Sequence, residues 1–340
     1  MPASTPRTRR WSNRPEGSNW GDFGDDDQLG SVNYITPEAI RRLASEIIEG
    51  LAFCLSLPLD YPGGSVLAPH RFPPTLRPTQ RHGHPFFNYR FGLHEGPGFH
   101  DVGCDDVVTL CTQYSTQWDS LAHIGHEFDA DGDGVPELCY YNGFVAGRDI
   151  RAPEERSGST AMPLAIDAFA ARPIQGRGVM IDLAHHFGRE SRNVGYADLR
   201  QVLSRDRIEV RPGDILCIHT GFAAEILAMN RQVDRERAKR MCAALDGTDA
   251  RLLEWITESR ISAIAADNYA VERIGLGASS FVPLHHHCLF LRGIPLGELW
   301  HLTELAAWLR EHGRHSFMLT APPLRLPGAV GSPVTPVANV

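Results

Sequence analysis

A series of short apolar runs, at residues 107–115, 179–184, 215–220, 261–266 and 317–319, sets the architecture of this chain before any other property is considered. Runs of that length bounded by turn-forming residues read as strands. Helical stretches lie between several of them, at residues 235–245 and in a Thr248-capped run through Leu252, Leu253 and Ile256. Strands alternating with helices predict α/β layering. An earlier amphipathic helix is predicted where Thr36 and Pro37 form a start signal, with Ile40, Leu43, Ile47 and Ile48 at helical spacing until Gly50 ends the run.

With 340 residues, 42% hydrophobic and 22% charged, the chain can bury a large core. Residues 1–18 are polar and rich in Pro, Ser and Arg, which predicts a flexible N-terminal arm before a single catalytic domain at 19–340. Residues 61–106 have no clear period and are rich in Pro, Gly and His, so they read as a functional loop or cover. The histidines in that stretch, His70, His82, His84, His94 and His100, are irregularly spaced and read as solvent-facing.

The formal net charge is -8 and no stretch gathers a basic cluster, which argues against nucleic acid as a partner and favours a small-molecule substrate. The seven cysteines are odd in number and widely spaced, with no Cys-x-x-Cys pair, as expected of reduced thiols. No segment has the roughly 18 uninterrupted apolar residues of a membrane helix, and no apolar run follows the basic start, so a cytoplasmic location is expected. Nucleophile elbows, His-Glu-x-x-His helices, phosphate loops and dinucleotide fingerprints are missing from the sequence, which removes support for the corresponding chemistries. Asp129, Asp131, Asp133 and Gly134 imitate the start of a calcium loop, but Tyr140 occupies the twelfth position where a bidentate Glu belongs, so a hairpin turn is expected.

Two segments concentrate groups that can do chemistry. The first holds Gln113, Gln117, Trp118, Asp119 and His123; the second holds His285, His286 and His287, followed by Glu298. Imidazole and carboxylate groups held on packed elements are common ligands of Zn, Mn or Fe. Taken alone, the triple histidine equally suits a partly solvated run, and Asp119 with His123 four residues on equally suits a helix cap.

The order and spacing of these residues resemble the cyclase family, which contains bacterial kynurenine formamidase and isatin hydrolase. Its signature His-x-Gly-Thr-His-x-Asp-x-Pro-x-His has the register of residues 113–123, with Thr116, Asp119 and His123 matching. A later family stretch is similar to the run containing His286, Leu289, Phe290, Gly293, Ile294, Leu296 and Glu298. Further likeness lies in Asn19 and Trp20, in residues 26–33, 176–182 and 213–221, and in Asp267 and Asn268 before Glu272.

The resemblance implies a swivelling β/β/α domain, with a mixed β-sheet and flanking helices, that assembles as a homo-oligomer, a dimer or tetramer. It also implies one divalent metal ion, Mn or Zn, held by Asp119, His123, His286 and Glu298. The implied function is hydrolysis by a metal-activated water, cleaving the C–N bond of a small amide or cyclic imide, or the C–O bond of a lactone. His123, His286 and Glu298 are the implied catalytic groups. His123 is also the expected proton shuttle if it is not a ligand, with His285 and His287 in reserve. Where the family has two metal-binding histidines this chain has Gln113 and Gln117, so these become weak ligands, supports of the ligands or substrate-binding donors. Trp118, Phe72, Phe86 and Phe87 are candidates to stack on a planar substrate. Alternatives are a lyase or cyclase acting through a metal-stabilised enolate, and a metal-free binding protein without catalysis.

Overall fold

The computed structural model describes residues 9–156 and 162–340. Its centre is a mixed sheet of nine strands, numbered here in chain order: β1 (Ala52–Cys54), β2 (Gln117–Asp119), β3 (Gln175–Asp182), β4 (Ile215–His219), β5 (Ala263–Ala266), β6 (Leu296–Glu298), β7 (Ser316–Thr320), β8 (Gly331–Pro333) and β9 (Val337–Asn339). Across the sheet the order is β1-β9-β7-β3-β4-β5-β6-β2-β8. The middle run β3-β4-β5-β6 is parallel, while β2 and β8 on one side and β7, β9 and β1 on the other pair antiparallel. The expected mixed sheet with flanking helices is therefore present.

Burial explains which runs became central strands. β4 and β5 are buried throughout, as strands covered on both faces must be. Helices α1 (Tyr196–Arg205), α2 (Ala250–Ser259) and α3 (Thr303–Glu311) bury one stripe each, Leu199 and Val202, Leu252 and Ile256, and Leu305, Ala306 and Leu309. Gly178 stands opposite Phe317 across β3 and β7, and a side chain on Gly178 would collide with that ring, so glycine is needed for the pair to close.

Several expectations are corrected. Residues 235–245 do not form one helix: a helix spans Arg235–Lys239, Cys242 turns the chain with a φ of 60°, and the buried Ala243–Leu245 forms a strand parallel to Arg192–Val194. The cap of α2 is Asp249, which accepts from the Arg251 and Leu252 amides, while the Thr248 hydroxyl donates to Asp246. The early helix ends sooner, as Pro37–Arg42 followed by a 3₁₀ turn at Leu43–Glu46, leaving Ile48 exposed.

Residues 61–106 are more ordered than their composition suggests, because short antiparallel pairs build an arm. Thr75–Pro78 pairs with Asp106–Thr109, Gln80–Arg81 with His84–Pro85, and Tyr89–Arg90 with Val102–Gly103. The strand expected at 107–115 thus belongs to this exposed arm and stops at Thr109. His70, His82, His84, His94 and His100 are exposed.

Nor do residues 9–18 behave as a free arm; residues 1–8 lie outside the described residues. Trp11 is buried edge-on against Trp20 at 5.7 Å, and the Ser12 and Asn13 amides donate to the Ala130 carbonyl. Two buried indoles outweigh the polar composition of the segment. The acidic loop is the expected hairpin, joining His126–Phe128 to Glu137–Tyr140. Asp129, Asp131 and Glu137 approach one another there, yet Asp129 accepts from the Gly132 and Gly134 amides, and Glu137 from Ala130. Among the described residues no helix is long and apolar enough to cross a membrane.

Candidate metal centre

Strand alternation builds the first half of the centre. On β2, Gln117 and Asp119 point to one face and Trp118 to the other. Gln117 stands opposite Glu298, the last residue of β6, so these side chains share that face. The C-terminal edge of parallel strands is where open α/β sheets gather ligands. The Gln117 Nε2 donates to Glu298 Oε2 at 2.9 Å.

The third member comes from a short helix. Among the described residues, Asp119, His285 and Glu298 each offer one atom within 4.8 Å of the others, and all three are buried. His285 donates from Nδ1 to Glu272 Oε1 at 2.7 Å and faces Glu298 Oε1 with Nε2 at 3.3 Å. Glu272 also accepts the Leu284 and His285 amides, which fixes both the helix start and the ring. A carboxylate behind an imidazole is the arrangement that orients metal-binding histidines.

His286 is therefore not where the resemblance put it. Its ring stacks on Phe290 at 5.2 Å and lies 4.3 Å from His126. His287 turns to Thr257, whose hydroxyl is 3.0 Å from Nε2. Adjacent helical positions diverge by about 100°, so only one of the three histidines can face Glu298, and Glu272 selects His285. A wide π-turn over His286–Leu291 carries the next residues away. The missed signal was Glu272, an acidic residue 13 positions before His285 with two backbone amides and a ring to hold.

His123 borders the centre, with Nε2 at 3.8 Å from Asp119 Oδ1 and Nδ1 at 3.3 Å from Gln113 Nε2. Gln113 Oε1 accepts from Thr112. Trp118, expected at the substrate, is instead core: it has no exposed surface, meets Trp300 edge-on at 4.9 Å and donates to the Ala321 carbonyl. Phe86 packs on Tyr89, whereas Phe72 and Phe87 are exposed on the arm.

Electrostatics give the test of whether a cation suits these residues. Burial and the nearby Glu298 push the Asp119 carboxyl up to about 8. Burial also opposes a charge on His285, but its bonds to Glu272 and Glu298 prevail and raise it to about 10. Burial and the neighbouring His285 lower His123 to about 4. Burial works to raise Glu298, yet the hydrogen bond and charge of His285 hold it below its ordinary value. Protons thus do the neutralising that a cation would otherwise do.

Three acceptor atoms are left over: both carboxylate oxygens of Asp119 and Gln117 Oε1 are buried and, among the described residues, accept no hydrogen bond. Flipping the Gln117 amide would set its oxygen against Glu298, so the orphaned atom is an oxygen. Buried acceptors without donors are costly, and a divalent cation satisfies several together. The donor set of carboxylate oxygen, amide oxygen and imidazole nitrogen fits such an ion.

Fold and site together define an α/β protein with a buried carboxylate–imidazole centre at a sheet edge. The Cyclase family model matches residues 54–273, which include Gln113 to His123 and Glu272, and the chain belongs to the cyclase family. A solved structure described as a novel cyclase is 32% identical, with 95% of this chain and 97% of that chain covered and a TM-score of 0.75. The fold is shared with isatin hydrolase A from Ralstonia solanacearum, at 13% identity, 89% and 95% coverage and a TM-score of 0.54. It is also shared with isatin hydrolase A from Labrenzia aggregata bound to benzyl benzoate, at 14% identity, 88% and 97% coverage and a TM-score of 0.56. No curated protein sequence matches the chain.

Proposed function

We propose that this chain is a metal-dependent hydrolase that opens the C–N bond of a small amide or cyclic imide, or the C–O bond of a lactone. The observation that carries the reading is the set of buried acceptors without donors, Asp119 Oδ1 and Oδ2 and Gln117 Oε1, beside His285 and Glu298. Asp119, His285 and Glu298 are the proposed ligands, joined by Gln117 Oε1. A divalent cation in that position supplies charge that polarises a carbonyl and makes water a stronger acid.

The protein's own residues do the rest. Glu272 keeps the proton of His285 on Nδ1, leaving Nε2 as the donor atom toward the centre. His123 is neutral at pH 7, so it can take a proton from the attacking water and return it to the leaving nitrogen or oxygen. The Gln113 amide beside Nδ1 fixes the ring while protons move at Nε2. Oxygen-rich ligands favour Mn over Zn in this reading. The expected homo-oligomer has support in the arm, where Leu76, Val107 and Val108 are exposed on a two-stranded ribbon. A cytoplasmic location remains part of the same reading.

The test is turnover of formanilides, cyclic imides and lactones by protein loaded with Mn or Zn, in ¹⁸O-labelled water. Solvent oxygen in the product supports hydrolysis; a product without it indicates a lyase or cyclase. Purified protein without near-stoichiometric metal and without turnover of any substrate removes the proposal.

A further inference from the structure

Apart from the carboxylate centre, a cavity of about 480 Å³ falls within the size range of small-molecule sites. Its apolar wall includes Phe222, Met241, Ile274 and Phe281, and its charged wall includes Arg235, Lys239 and Arg273. Glu272 also borders it, but that carboxylate is committed to the Leu284 and His285 amides and the His285 ring. In a chain of net charge -8, this is a locally cationic hollow.

The cations differ in what occupies them. Along the helix Arg235–Lys239, Asp234 caps the start, Lys239 pairs with Glu236, and Arg237 pairs with Glu225. Among the described residues Arg235 makes no ion pair within 4 Å, and only the charge of the neighbouring Glu236, itself paired with Lys239, is felt beside it. Among the described residues Arg273 donates only to neutral acceptors: Asn193, Ser191 and the carbonyls of Lys239 and Cys242. Its charge is therefore not neutralised by a carboxylate, and burial holds its pKa below the ordinary value.

The hollow also leads toward the centre. Val66, Leu67 and Tyr269 line both the cavity and a crevice of about 10 Å³, whose wall includes Arg71 and Gln113. That crevice has room for about one water, and Gln113 touches His123. A molecule seated in the cavity thus has only a narrow approach to the reacting groups, past Tyr269.

We propose that the cavity binds a small organic anion with an apolar body, its carboxylate held by Arg235 and its ring or chain against Phe222, Met241 and Phe281. This site stands on the cavity alone and does not depend on the hydrolase reading. An unpaired guanidinium at the edge of an apolar wall recognises a carboxylate while the wall accepts the hydrocarbon.

The experiment is calorimetric titration of the full-length protein with phenylacetate and its neutral counterpart phenylacetamide, which needs no turnover. Phenylacetate is expected to bind the unmodified protein at least about ten-fold more tightly than phenylacetamide. Arg235→Gln should weaken phenylacetate about five-fold and Arg235→Glu further, with phenylacetamide unchanged. Asp119→Asn should leave phenylacetate binding intact. Equal binding of the two probes, indifference of phenylacetate to Arg235→Glu, or its loss in Asp119→Asn would each overturn the proposal, the last by placing the anion on the centre itself.

Discussion

Gln117 faces Glu298 across the β2–β6 pair and donates to it at 2.9 Å, which leaves the amide oxygen of Gln117 buried without a donor. In the proposed centre the glutamine has two jobs: its nitrogen steadies one carboxylate and its buried oxygen is free to join that carboxylate on a cation. Gln117→His should shift metal preference toward Zn, because imidazole is the softer ligand. Competition titration with Mn and Zn should show the Zn-to-Mn affinity ratio rising about ten-fold or more. An unchanged ratio would mean that residue 117 does not contact the ion.

Asp119→Asn removes a carboxylate whose ionised form burial and Glu298 both oppose. In metal-free protein the substitution should therefore leave thermal stability unchanged or raised, while metal affinity falls by about 100-fold or more and turnover disappears. Melting curves with and without Mn separate the two effects. A large loss of metal-free stability would indicate that Asp119 serves packing.

Metal uptake should release protons. Without a cation, Asp119 near 8 and His285 near 10 both carry protons at pH 7, and both must lose them to serve as ligands. About two protons should leave per ion at pH 7, measurable by titration in buffers of different ionisation enthalpy. Both pKa values lie above 7, so apparent affinity should climb as pH rises from 6 toward 8 and drop as it falls. A pH-independent affinity over that range would contradict this ligand set.

How much of this was legible in the sequence depends on what each residue needed to reveal its place. β4 and β5 announced themselves, because strands buried on both faces are apolar throughout. That Asp119 and Glu298 converge on one buried cluster was legible through family spacing. Trp118 was misread because its neighbours Gln117 and Asp119 reach the proposed centre, although the two-residue period of a strand turns it to the opposite face. The choice among His285, His286 and His287 was beyond sequence spacing, since it is made by Glu272 and a π-turn, and the π-turn displaces the helical register. The segment around Trp11 looked mobile by composition, but its indole fits a site formed by Trp20, far from anything its own neighbours indicate.

Trp118 then yields a prediction of the opposite kind from the one its sequence position suggests. Fully buried against Trp300 and bonded to the Ala321 carbonyl, it should act on stability and not on substrate recognition. Trp118→Ala should cost about 3–5 kcal/mol in denaturant unfolding. Trp118→Phe, which keeps most of the volume but loses the donor, should cost less and leave KM unchanged. A raised KM in a stably folded Trp118→Phe protein would return the indole to the substrate site.

Glu272 offers the sharpest separation of support from ligation. It reaches the centre through His285, whose Nδ1 it holds at 2.7 Å, yet it also anchors two backbone amides of the same helix. Glu272→Gln keeps an oxygen that can accept from the ring but removes the charge that favours the Nδ1 proton, so metal affinity should fall about 10–100-fold. Glu272→Ala also frees the Leu284 and His285 amides and should unfold more readily. If ring orientation is the cause, Glu272→Asp, one methylene shorter, should restore the charge but not the affinity. Equal metal affinity in the native protein and Glu272→Gln would confine Glu272 to anchoring the backbone.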